Sequence, residues 1–134
     1  MDLCYIPQSK IYITDIGISR LFSDIDRGRA LESAVFMELL KNASPDMSIN
    51  YLKLKSGKEV DFILTGRSIE LIQVSYSVSD PGTRSRETSA LVEAAMNLGL
   101  NTGIIITYDY EEEESINGIL IKYIPFWLWA LFNF

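Results

Sequence analysis

The sequence predicts an α/β fold, a mixed β-sheet flanked by helices. Three observations predict it. Short apolar or alternating runs of strand length recur along the chain, two longer stretches carry the 3.6-residue apolar period of helices, and Gly, Pro, Asn and Asp clusters separate them. The 134 residues are 48% apolar and 22% charged, which suits one globular domain with a single buried core. Neither an internal repeat nor a linker-like stretch interrupts it, so one domain over 1–134 is expected.

Taken in order, residues 10–15 read as a short strand, followed by a helical or turn segment to Asp26. A helix over 28–43 ends at Asn42-Ala-Ser-Pro45, where proline cannot continue it. Residues 49–55 alternate apolar and polar, Ser56-Gly57 supplies a tight turn, and 59–64 returns as the second strand of a hairpin. Gly66-Arg67 turns again into a third strand over 69–76, and Asp80-Pro81-Gly82 breaks the chain before a second helix over 83–98. Gly99 follows that helix as the residue best able to take the left-handed conformation of a C-terminal cap. A buried strand over 102–108, another over 119–124 after the Asn117-Gly118 turn, and a short helix over 125–131 complete the order β, α, β-β-β, α, β, β, α.

Composition excludes much chemistry. There is no histidine, and Cys4 is the one cysteine, which removes Ser–His–Asp triads, Cys–His pairs, zinc fingers and intrachain disulfides. Carboxylates, amides, hydroxyls, Lys and Arg remain. No apolar run reaches the ~18–20 residues of a membrane span, and the N-terminus lacks the basic and apolar regions of a signal peptide, so a cytoplasmic chain without a membrane partner is expected. The net charge of −6 is unevenly placed: residues 1–86 are neutral, with eleven basic and eleven acidic side chains, whereas 87–134 holds one Lys and seven acids. The run 111–114, four glutamates, reads as a solvated loop. A nucleic-acid surface would therefore lie in the first two thirds, on Lys53, Lys55, Lys58, Arg67, Arg84 and Arg86, and overall acidity predicts weak binding.

One carboxylate stands where a helix should be greasy. At about 100° per residue, Glu32 falls inside the arc of Leu31, Val35, Phe36, Leu39 and Leu40, while Glu38 and Lys41 fall on the polar side. A buried carboxylate needs a partner, either a cation such as Arg29 or a metal and catalytic role facing the sheet. The second hairpin offers companions. With a three-residue turn at 66–68, Asp61 sits opposite Gln73, Glu59 opposite Ser75 and Ile63 opposite Leu71 on one face, while Val60 with Val74 and Phe62 with Ile72 form the apolar face. Hard divalent cations such as Mg or Mn take oxygen ligands of this kind; equally, a polar hairpin face is the ordinary solvent side.

The segments Lys10-Ile-Tyr-Ile-Thr-Asp-Ile-Gly17, Gly28-Arg-Ala-Leu-Glu-Ser-Ala-Val35 and Lys55-Ser-Gly-Lys-Glu-Val-Asp-Phe62 resemble the C-terminal domain of a large family of archaeal ATPases. The later Leu71-Ile-Gln-Val74, Arg86-Glu87, Ile105-Ile-Thr-Tyr-Asp-Tyr110 and the stretch from Asn117-Gly118 to Trp127 extend the resemblance over nearly the whole chain. It implies a restriction-endonuclease-like fold of the PD-(D/E)XK type, with an αβββαβ core. In that pattern Glu32 takes the helix position and Asp61 the strand position for a Mg or Mn ion. Gln73 and Ser75 occupy the third-strand positions of an acid and a lysine. Gln73 offers a metal an oxygen without charge, and Ser75 cannot polarise water as a lysine would. Arg86, or Lys58, is the replacement cation, and an arginine would stabilise charge without acting as a base.

No G-x-x-x-x-G-K-[ST] occurs, so the chain carries no P-loop and no ATPase activity is expected of it; a separately expressed domain, a truncated relative or an excised fragment would all fit. Three functions follow as expectations. The first is a degenerate nuclease-like domain binding nucleic acid as a module associated with an ATPase. The second is an active Mg- or Mn-dependent DNA endonuclease using Glu32, Asp61, Gln73 and Arg86. The third is a docking or dimerisation domain, prompted by Phe126, Trp127, Trp129, Phe132 and Phe134 at the chain end.

Overall fold

The computed structural model describes residues 3–6 and 27–132; the expected strand at 10–15, Asp15, the Cys4 side chain and Phe134 lie outside the described residues or side chains. The chain forms β1 (Leu3–Ile6), α1 (Arg27–Asn42), β2 (Ser48–Leu54), β3 (Glu59–Thr65), β4 (Glu70–Val74), α2 (Pro81–Leu98), β5 (Thr102–Thr107), β6 (Glu112–Ile116), β7 (Ile119–Pro125) and α3 (Phe126–Leu131). The α/β class is as the sequence predicts, and the α-β-β-β-α-β order from α1 to β5 is observed.

Local chemistry sets the boundaries. The Asp80 carboxylate caps α2 by accepting the Thr83 N–H at 2.9 Å, Pro81 fills the first helical turn where no N–H is needed, and Gly99 ends the helix at φ 71°. Asn117 and Gly118 both have positive φ, 51° and 81°, the type I′ geometry that matches the twist of a two-residue hairpin. That hairpin corrects the reading of 111–114 as a loop. Glu112–Ile116 is an edge strand paired antiparallel to β7, and its register follows from the Asn-Gly turn rather than from its charged side chains. The chain also has the short strand β1, against β2.

The sheet runs β1-β2-β3-β4-β5-β7-β6. Strands β1 to β4 form an antiparallel meander, β4, β5 and β7 are parallel, and β6 is antiparallel to β7. Helix α2 covers one face, packing Leu91, Ala94 and Ala95 against Ile63, Leu71, Ile105 and Ile121. Helices α1 and α3 cover the other, with Val35, Leu39 and Trp129 against Phe62, Leu64, Ile72 and Ile106. Leu40, placed by periodicity on the apolar arc, is exposed instead, at the margin of the helix away from the sheet. No helix among the described residues is long and apolar enough to cross a membrane.

The β3–β4 register is the one the three-residue turn implies, with Phe62 opposite Ile72, Ile63 opposite Leu71 and Leu64 opposite Glu70. On its other side β3 is irregular. Asn50 pairs with Ile63 but Leu52 with Val60, so two residues, Asp61 and Phe62, face the single Tyr51. This is a β-bulge. It corrects the expected faces: Val60 and Ile63 both pack in the α2 cluster, while Phe62 packs on the α1 side.

Candidate functional site

The bulge lies at the start of β3, beside the end of β4, and there the strands exchange main-chain pairing for side chains. The Asp61 N–H donates to Gln73 Oε1 at 2.8 Å, and Gln73 Nε2 donates to the Glu59 carbonyl at 2.9 Å. In return the Val74 N–H donates to Asp61 Oδ2 at 2.8 Å. Each side chain satisfies the partner strand's backbone where the ladder would otherwise leave polar groups open. Gln73 is only 2% exposed, and its amide is bound at both ends. Behind it the Tyr51 hydroxyl bonds the Glu59 carboxylate; burial pushes the Tyr51 phenol well above its usual range, and the charges of Glu59 and Asp61 push it further.

In front of the pair opens a cleft of about 410 Å³, walled by Lys58, Glu59, Asp61, Gln73, Arg86 and Glu87. Glu87 projects from α2, and burial raises its carboxyl above the usual value; Arg86 pulls it down and Glu32 pushes it up. The Arg86 guanidinium stands 3.9 Å from the Glu87 carboxylate and is itself largely exposed at the cleft mouth. The fold therefore brings Asp61, Gln73, Arg86 and Lys58 together. Glu32 is not among the side chains walling this cleft, although its charge is felt at Glu87. Ser75 is also outside the cleft wall; its hydroxyl donates to the Ser77 carbonyl at 2.9 Å.

A Mg or Mn ion held by Glu32, Asp61 and Gln73 would have two carboxylates and one amide oxygen as its protein donors. Among the described residues no three of His, Cys, Asp and Glu gather as a ligand group. The uncharged member, Gln73, already accepts a main-chain N–H through its one oxygen.

The expected nucleic-acid cations fare unequally. Arg84 is turned inward to the acidic edge. It donates to Glu112 and Glu114 and to the Tyr110 hydroxyl at 3.0 Å, with its guanidinium 4.5 Å from the Tyr123 ring centre. It is a clasp between α2 and β6, not an outward cation. Lys58 pairs with Glu93 at 3.4 Å and Arg67 with Asp46 at 3.8 Å. Lys53 and Lys55 are exposed on β2 and its following turn.

At the same end of the sheet as Asp61 and Gln73, just past β4 and β5, Tyr76 and Tyr108 stack with ring centres 4.8 Å apart and planes 18° from parallel. Arg27 lies over the Tyr76 ring at 5.7 Å, and Tyr108 is 53% exposed. Sequence reasoning missed this stack, because the partners meet only when β4 and β5 lie side by side. It also missed Glu87, for which a signal existed: Glu87 precedes Leu91 by four residues and Ala94 by seven, the same buried helical stripe that singled out Glu32.

The sequence profile of the domain of unknown function DUF4143 matches residues 27–129. The chain belongs to that family. It is also 36% identical to Uncharacterized protein MJ1544 of Methanocaldococcus jannaschii over 134 residues, an alignment covering 94% of this chain and 30% of the archaeal protein. A Haemophilus influenzae relative, likewise described as an uncharacterized protein, is 32% identical over 124 residues, 90% of this chain and 28% of its own length. The chain thus spans less than a third of the curated relatives it matches.

Proposed function

We propose that this DUF4143 domain is a nuclease-like domain without nuclease chemistry, which binds unpaired nucleic acid as a module of a longer, ATPase-associated assembly. The α-β-β-β-α-β order and the Asp at the start of β3 support the PD-(D/E)XK-like reading of the fold. The loss of chemistry is supported by Gln73, whose amide serves the backbone, and by Ser75, whose hydroxyl does the same. The relatives' greater length supports a modular role.

The observation that carries the binding is the Arg27–Tyr76–Tyr108 stack. An exposed aromatic face beside a guanidinium offers a base a stacking surface with no sequence code, and Arg86 at the neighbouring cleft stands ready for phosphate. Stacking requires the base to be out of a duplex, so single strands are favoured.

The test is fluorescence anisotropy with a labelled 20-nucleotide thymidine strand and its duplex. The single strand binds more tightly, without divalent ions, and more weakly as salt rises. Tyr108→Ala costs roughly tenfold in affinity, from ~1–3 kcal/mol per stacked base. No binding at 20 mM salt would sink the reading. Cleavage with Mg or Mn that disappears in Asp61→Asn would establish the endonuclease in its place.

A further inference from the structure

On the sheet face away from α2, helix α1 covers β3 and β4, and among the described residues the outer half toward β6 has only the six residues of α3. An open groove of about 580 Å³ remains there. Its floor is Ile104 and Ile124, and its wall is Leu128 and Phe132. The apolar surface continues onto the end of α3, where Leu131 is 70% exposed, and onto Phe132 just past it, 60% exposed. The rim is acidic: Glu111 and Glu113 stand on the β6 side and Glu70 on the β4 side, with Lys122 the one cation lining it among the described residues.

We infer that this groove docks a basic amphipathic helix, its apolar face on Ile104, Ile124, Leu128 and Phe132 and its Lys or Arg side chains on Glu70, Glu111 and Glu113. Helices enter grooves of this kind by an apolar stripe at i, i+3, i+4 and i+7, and the carboxylate rim selects the charge. The same rim repels anionic membranes and nucleic acid. A second copy is a poor occupant, because residues 87–134, which supply all the named groove residues but Glu70, hold one Lys against seven acids and would meet themselves like-charge to like-charge. The docking is independent of nucleic-acid binding, which uses the ends of β4 and β5.

Both tryptophans of the chain, Trp127 and Trp129, lie on α3, and Trp129 lines the groove, so their emission reports occupancy. Three synthetic 18-residue peptides serve as probes: a Leu/Lys amphipathic helix, the same composition scrambled to abolish the apolar stripe, and the helix with Glu in place of Lys. The first shifts the emission and binds at least tenfold more tightly than either control by calorimetry. Glu111→Lys/Glu113→Lys and, separately, Phe132→Asp weaken it at least fivefold with thermal melting unchanged. Equal binding of the scrambled peptide would overturn the inference, since charge alone would then suffice. So would undiminished binding to both variants, or a concentration-dependent dimer, seen by sedimentation, that excludes the first peptide.

Discussion

The side chains of Asp61 and Gln73 bond to each other's strand backbones rather than to one another. The amide of Gln73 holds the Asp61 N–H and the Glu59 carbonyl, while the Asp61 carboxylate holds the Val74 N–H. Two positions that the resemblance assigns to metal ligation thus also close the sheet, and that role governs what substitution should do to stability.

Gln73→Leu keeps the volume and the burial but leaves the Asp61 N–H and the Glu59 carbonyl without their partner. At ~1–3 kcal/mol for a buried unsatisfied group, and with water able to reach the Glu59 side, the expected loss is about 2 kcal/mol. Urea unfolding should show it as a lower midpoint at unchanged slope. A loss below about 0.5 kcal/mol would mean that the amide is not a staple.

Asp61→Asn and Asp61→Ala separate charge from hydrogen bonding. Asparagine still offers an oxygen to the Val74 N–H, so its stability should stay within about 1 kcal/mol of the parent. Alanine removes the acceptor and should cost roughly 1.5–3 kcal/mol, the worth of a bond to a charged group. Equal destabilisation by both variants would show that charge, not the bond, is what the strand end requires.

Glu87 gives a pH signature. Burial raises its folded-state value above the usual 4.5, so folding is favoured when the group is protonated, and that contribution is lost as pH rises through the folded value. Glu87→Gln should therefore melt higher than the parent at pH 7, with the gap closing as pH falls below about 4.5. A gap that persists at pH 3.5 would point to packing rather than ionisation.

Arg84→Met tests the clasp on the acidic edge. It strands Glu114, which also receives the Tyr123 hydroxyl, and leaves Tyr110 without its donor. Removing one partner of a buried pair costs ~3–5 kcal/mol, and partial exposure lowers that to about 2–3 kcal/mol here. Nucleic-acid affinity should be unchanged in this variant, in contrast to Tyr108→Ala; a parallel loss of affinity would place Arg84 on the binding surface.

Much of the fold is legible in the residues because local signals agree. Asp80-Pro81 and Gly99 bracket α2, and the turn after Leu64 sets the β3–β4 register that puts Asp61 beside Gln73. What escapes is whatever depends on a third element. The bulge at Asp61 arises from pairing with β2, not with β4, so Val60 could not be assigned its face from the second hairpin alone. Edge strand β6 is masked by four glutamates, since charged side chains on an exposed edge carry no apolar period. Arg84 looks like a surface cation until Glu112 and Glu114 come across from β6. Tyr76 and Tyr108 are thirty-two residues apart and become neighbours only through the parallel β4–β5 pair.

The bulge also sets how separable the carboxylate is from the rest of the strand. Val60 and Ile63 face α2 and Phe62 faces α1. If Asp61 were excised, Val60, Phe62 and Ile63 would alternate as an unbroken strand, each on the face it already occupies. Neither layer of the core would need to repack, and Val60 would move into the place opposite Gln73. Asp61 is therefore supernumerary to the hydrophobic pattern, and a single in-frame codon deletion separates this domain from a plain sheet. That is a short evolutionary path between a scaffold with a charged strand end and one without it.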